Sequence, residues 1–103
     1  MSLRHPLAYE GEFGWIFRID SDYDGTGATA TVIRFTKPDG TTVDKTATAV
    51  TTLAAGDLQW TVTDGFFTKG QWTARTIWTT STSKLIKGKL HRFTIGEAEV
   101  TPA

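Results

Sequence analysis

Beginning at Gly70 the chain alternates strictly, with Trp72, Ala74 and Trp78 on one side and Gln71, Thr73 and Arg75 on the other. A period of two belongs to a strand with one buried face. The same rhythm runs through residues 12–20, where Phe13, Trp15, Phe17 and Ile19 make an aromatic inward face against Gly14, Ile16 and Arg18. It returns at 57–63, with Leu58, Trp60 and Val62 set against Gln59, Thr61 and Thr63. Residues 28–36 read as a strand whose facing Val32, Ile33 and Phe35 leave open, and residues 85–95 as a last strand with Phe93 and Ile95 inward. Between these, residues 41–52 carry threonine, alanine and valine with little bulk to bury, the composition of an edge strand running into a loop.

Turn chemistry punctuates the pattern. In Lys37-Pro38-Asp39-Gly40 proline fixes φ at the first central position, and Asp-Gly supports the left-handed geometry that closes a hairpin. Asp64-Gly65 marks a second turn, after which Phe66 and Phe67 plug the connection to Gly70. Twenty threonines, and no window with apolar residues spaced at three and four, predict an all-β chain. Six or seven short strands separated by Gly, Pro and Asp predict an antiparallel β-sandwich in preference to a small barrel. The domain is expected over residues 10–96, with a flexible N-terminal segment at 1–9 and a tail at 97–103.

A chain of 103 residues has room for one core. Eleven basic and eleven acidic residues cancel, which argues against a nucleic-acid partner or an anionic membrane. The balance is uneven along the chain. Residues 1–57 hold eight acids and five bases (−3), and residues 58–103 three acids and six bases (+3), a split that suits either internal complementarity or head-to-tail contacts between copies. With no cysteine there is neither a disulfide nor a thiolate nucleophile. The apolar runs are too short for a membrane span, and the first ten residues lack the apolar stretch of a signal peptide, so synthesis in the cytoplasm is expected.

The order of motifs carries a resemblance: Gly11 before an aromatic strand, Ala28-Thr29-Ala30, Lys37-Pro38-Asp39-Gly40-Thr41, Leu58-Gln59-Trp60 and Gly70-Gln71-Trp72. Over residues 10–95 it resembles the small immunoglobulin-like proteins of tailed-phage and prophage structural modules, including the N-terminal domain of baseplate upper proteins. The resemblance implies an immunoglobulin-like sandwich that is a non-enzymatic assembly or adhesion module of a tail or baseplate. Its partners would be other phage structural proteins or further copies of itself, and its location the host cytoplasm and then the virion. The family offers no catalytic residues to carry over, and the matched Trp60, Gly70 and Trp72 are fold-defining. The segment around Lys84, Lys87 and Lys89 departs from the more neutral strand the resemblance implies.

Several constellations have chemical readings beside structural ones. Asp20-Ser21-Asp22-Tyr23-Asp24-Gly25 matches the opening of a calcium loop, with Asp20, Asp22 and Asp24 as ligands. The twelfth position, which needs a bidentate glutamate, is Thr31, so the competing reading is a polar loop whose aspartates bond their own backbone. The aromatic residues suit a stacking platform for a glycan, the basis of a second functional reading as a carbohydrate-binding adhesion module, calcium-assisted or not. Alternation assigns Trp15, Trp60 and Trp72 to the core, with Pro38, Gly40 and Gly70 as structural positions, and leaves Tyr23 and Trp78, near strand ends, as surface candidates for a ligand.

Lys84, Lys87, Lys89, His91 and Arg92 form a basic cluster that suits phosphate or an acidic partner, or guards an edge strand against unwanted pairing. His5 and His91 have no chemical partner in the sequence. No Gly-x-Ser-x-Gly elbow, phosphate loop or His-Glu-x-x-His helix is present. Glu10, Glu12, Glu97 and Glu99 would need a cleft that a small sandwich does not build. The expectation is therefore a protein that is not an enzyme.

Overall fold

A computed structural model describes residues 7–21, 23–80 and 84–97. These residues are all-β: nine strands and a single 3₁₀ turn at Leu53–Ala55. The strands are β1 (Ala8–Tyr9), β2 (Ile16–Asp20), β3 (Ala30–Thr36), β4 (Thr42–Thr46), β5 (Thr48–Ala49), β6 (Asp57–Thr61), β7 (Gly70–Thr79), β8 (Leu85–Lys87) and β9 (His91–Gly96). A six-stranded sheet runs β1-β9-β7-β3-β4 with β8 also on β7, and a three-stranded sheet runs β2-β6-β5.

The long alternating strand sits at the centre of the larger sheet, flanked by β3 and by β8 and β9. Its inward residues Trp72, Ala74, Thr76 and Trp78 are all fully buried. Beside it, Phe35 lies opposite Ala74 and Phe93 opposite Trp72, so one register builds a continuous apolar face. The Pro-Asp-Gly turn closes β3 onto β4: Lys37 and Thr41 share a backbone bond of 2.8 Å, and Gly40 takes φ +91°. Pro38 also packs against Gly70, where a Cβ would lie 2.7 Å from the proline ring, and Gly70 itself has φ +130°. Glycine is required there for both reasons.

The smaller sheet contributes Phe17, Ile19 and Leu58 to the shared core, and Val62 joins them just beyond β6. Phe67 plugs the middle. Its ring lies 5.7 Å from that of Phe35, 4.9 Å from Trp72 and 5.7 Å from Phe93, all edge-on, the arrangement that the aromatic quadrupole favours. Trp15 stacks on Phe67 at 5.8 Å, and Trp60, half-buried, packs on Phe35 and Phe66. The buried aromatic cluster therefore draws on both sheets and on the 62–69 connection, and fixes how the layers sit on each other.

Three departures from simple alternation have local causes. Phe13, expected inside, is 61% exposed. Val62 bonds both Gly14 and Trp15, a bulge that ends the pairing, and Gly14 at φ +86° turns the chain away before Phe13 can face the core. The closing strand divides into β8 and β9 because Gly88 comes against buried Thr76, donating its N–H to the Thr76 carbonyl at 2.8 Å where a Cβ would overlap the threonine hydroxyl. Finally, Ala8 and Tyr9, placed by the sequence reading in the N-terminal segment, pair with Ile95 and Gly96 in parallel, which makes the larger sheet mixed instead of antiparallel.

The chain passes between the two sheets at the β1–β2, β2–β3, β4–β5 and β6–β7 connections, and the shortest of these is a one-residue corner. Between β4 and β5, buried Ala47 donates its N–H to the Thr31 carbonyl at 3.1 Å, and there the backbone leaves the larger sheet for the smaller.

Candidate functional site

The structure brings Tyr23 and Trp78 together, Tyr23 half-buried and Trp78 wholly inside. Their rings lie 5.4 Å apart, and Trp78 is fully buried with its indole N–H donated to Thr76 Oγ1 at 2.9 Å. In the sequence Trp78 shares the period of Trp72 and Ala74, yet its position at a strand end beside a polar turn makes it a surface candidate. The loop after β2 instead folds over it, anchored by Ser21, whose N–H and hydroxyl both donate to the Gly56 carbonyl (3.0 and 2.8 Å), and by Gly25, whose N–H donates to the Leu53 carbonyl at 2.9 Å. No aromatic stacking platform forms at this pair.

Of the calcium candidates, Asp22 lies outside the described residues. Asp24 Oδ1 accepts from the Thr26 hydroxyl and N–H at 2.6 and 3.0 Å, and these two bonds hold its carboxyl below the usual carboxylate range. Asp20 lies opposite Asp57 across β2 and β6. Partial burial and, secondly, the Asp20 charge push the Asp57 carboxyl above its ordinary value. Among the described residues no three His, Asp or Glu side chains gather as a metal site. None of the described helical turns is long and apolar enough to cross a membrane.

The basic cluster is divided by the fold. Lys84, Lys87, Lys89 and Arg92 are exposed, whereas His91 turns toward the smaller sheet, with Nε2 3.0 Å from the Asp20 carbonyl oxygen. Trp60 faces a cation at the opposite side of the molecule: Lys45 Nζ stands 5.5 Å above its ring and 5.2 Å above that of Phe66, a cation–π arrangement.

The His91–Asp20 contact closes one end of a groove of about 460 Å³ between β2 and β9. Phe17, Ile19 and Phe93 form its apolar floor, and Leu7, Arg18 and Arg92 its rims. Among the described residues β2 pairs on one side alone, with β6. Ser21 and Trp15 direct their backbone groups to that partner. By alternation the N–H and C=O groups of Ile16 and Arg18 point the other way, toward the groove. β9 is open alongside, because β1 covers it only from Thr94 onward: Leu7 donates to the Thr94 carbonyl at 2.8 Å. Two strand edges thus face each other across an apolar floor, with Leu7 exposed at its rim (51%).

This seam was not legible in the sequence, since periodicity gives the buried face of a strand and not its neighbours. Comparison of the chain with family models, curated proteins and solved structures found no match.

Proposed function

We propose that the chain is an immunoglobulin-like β-sandwich of a phage or prophage tail or baseplate that acts without chemistry of its own, by holding another structural protein. The observation that carries this reading is the open β2 edge: backbone donors and acceptors of Ile16 and Arg18 beside the apolar floor of Phe17, Ile19 and Phe93. An extended segment with alternating apolar side chains fits such an edge, its main chain completing the ladder and its inward residues meeting the floor. The motif order from Gly11 to Trp72 supports the phage origin, and the two-sheet architecture supports the sandwich.

The test joins gene context to a designed edge variant. Tail or baseplate genes are expected beside this one, and the purified product of a neighbouring gene is expected to bind the protein. Arg18→Pro removes an outward-pointing N–H, a change tolerated on an edge strand, and is expected to abolish that binding while the protein stays folded. A metabolic operon, or binding indifferent to Arg18→Pro in a folded variant, would overturn the reading.

A further inference from the structure

The outward side of the larger sheet gathers four cations by register. Because Trp72, Ala74 and Thr76 of β7 face the core, Thr73, Arg75 and Ile77 face away. Directly opposite Arg75 on β3 stands Arg34, opposite Thr73 on β9 stands Arg92, and opposite Ile77 on β8 stands Lys87. Neighbouring strands are ~4.8 Å apart, so three adjacent strands present an arginine within one lateral or diagonal step.

One carboxylate shares these strand positions. Asp44 lies opposite Arg34 and accepts from its Nε and Nη2 at 2.8 and 3.0 Å. Four cations less one carboxylate leave a face of +3 on a chain whose formal charge is zero. Arg75 has no ion pair among the described residues, and its Nε is buried without a hydrogen-bond partner. Like charges directly opposite each other repel, and a buried donor without an acceptor carries a desolvation cost. An oxoanion bridging Arg75 and its neighbours relieves both, through charge-assisted and bidentate hydrogen bonds.

The rest of the face selects the kind of anion. Its other positions include Thr36 opposite Thr73 and Gln71 opposite Thr94, all hydroxyl or amide groups. Beside the arginines no outward position is aromatic, and the one on β1, Tyr9, lies opposite Gly96 at the far edge of the sheet, whereas single-stranded nucleic acids are held by stacking on successive rings along the path of the strand. The apolar outward positions, Val32 opposite Ile77 and Leu85 opposite Thr79, gather toward one end of the face, whereas a protein interface places its apolar residues at the centre. We infer that this face binds an acidic polysaccharide, its sulfate or carboxylate groups seated on Arg75, Arg34 and Arg92 and its hydroxyls on the threonines. Arg92 also stands at the rim of the β2–β9 groove, whereas Arg34 and Arg75 lie away from it on β3 and β7, and these two set the anion site apart from the partner assigned to the β2 edge.

Titration with a heparin oligosaccharide at about 0.15 M salt, an ionic strength that screens loose surface attraction, tests it. Binding is expected. Arg75→Gln combined with Arg92→Gln should weaken it by about tenfold or more and flatten the dependence of log affinity on log salt, because fewer counterions are exchanged. Asp44→Asn should tighten it, and Lys69→Gln, away from the face and paired with Glu97, should leave it unchanged. Absence of binding, equal loss in the face variant and Lys69→Gln, or equally tight binding of poly-glutamate or single-stranded DNA of matched charge would each overturn the assignment. If the double variant fails to fold, Asp44→Asn decides, and a failure to tighten overturns the site.

Discussion

The backbone of Gly25 lies against the indole of Trp78, so close that a Cβ at position 25 would overlap the six-membered ring. A loop of polar residues thereby serves as the roof of a fully buried tryptophan. Gly25→Ala is expected to destabilise by about 1–3 kcal/mol, the range for forcing extra volume into a packed site. Thermal melting measures it, and a melting temperature equal to the wild type's would show that the loop lifts off without cost.

Trp72 carries more. Its ring is fully buried among Phe35, Phe66, Phe67 and Phe93, and its indole N–H donates to the Thr68 carbonyl at 2.8 Å. Trp72→Ala opens a cavity and removes that donor, and should cost about 3–5 kcal/mol, a large share of the ~5–15 kcal/mol that holds a small domain folded. Denaturant unfolding gives the value. Lys87→Ala, on the exposed face, should stay within about 0.5 kcal/mol.

These two tryptophans also mark how far the sequence could be read. Trp72 stands in the middle of a long alternating strand, and periodicity alone placed it inside. Trp78 obeys the same period, yet its position beside a polar turn suggested exposure. What buries it is a loop from residues 21–27, held by Gly56 and Leu53, a contact between distant segments that no local pattern encodes. Phe13 shows the converse: the period holds on paper, and a single positive-φ glycine at position 14 cancels it. The groove between β2 and β9 depends on which strands are neighbours, and pairing order leaves no trace in alternation.

Asp57 gives a pH signature with a defined sign. Burial and the nearby Asp20 raise its folded carboxyl above the ordinary value, so the folded state binds the proton more tightly than the unfolded chain. Its contribution is therefore favourable at low pH and is lost as pH rises above the unfolded value of about 4. Asp57→Asn should raise the melting temperature at pH 7 and have little effect near pH 3. Melting scans across that range check it, and an advantage that persists at low pH would assign the effect to something other than charge.

Calcium provides a further check on the 20–25 loop. Asp24 is already committed to Thr26, and Asp20 faces Asp57. Excess calcium and excess chelator should give the same melting curve, since a ligand that binds the folded state alone would raise its stability by mass action. A rise with calcium would restore the loop as a metal site, with Asp22 as the residue to substitute next.

The one-residue corner at Ala47 binds the two sheets as closely as a spine binds pages, and the free edge of β2 is the fore-edge. On one side the chain passes from sheet to sheet through a buried residue hydrogen-bonded to Thr31, and on the other β2 and β9 meet across a groove at His91 and Asp20. At that fore-edge β2 has one neighbour among the described residues, whereas β3 and β7 have strands on both sides, so the Ile16 and Arg18 amides should exchange with solvent long before those of β3 and β7.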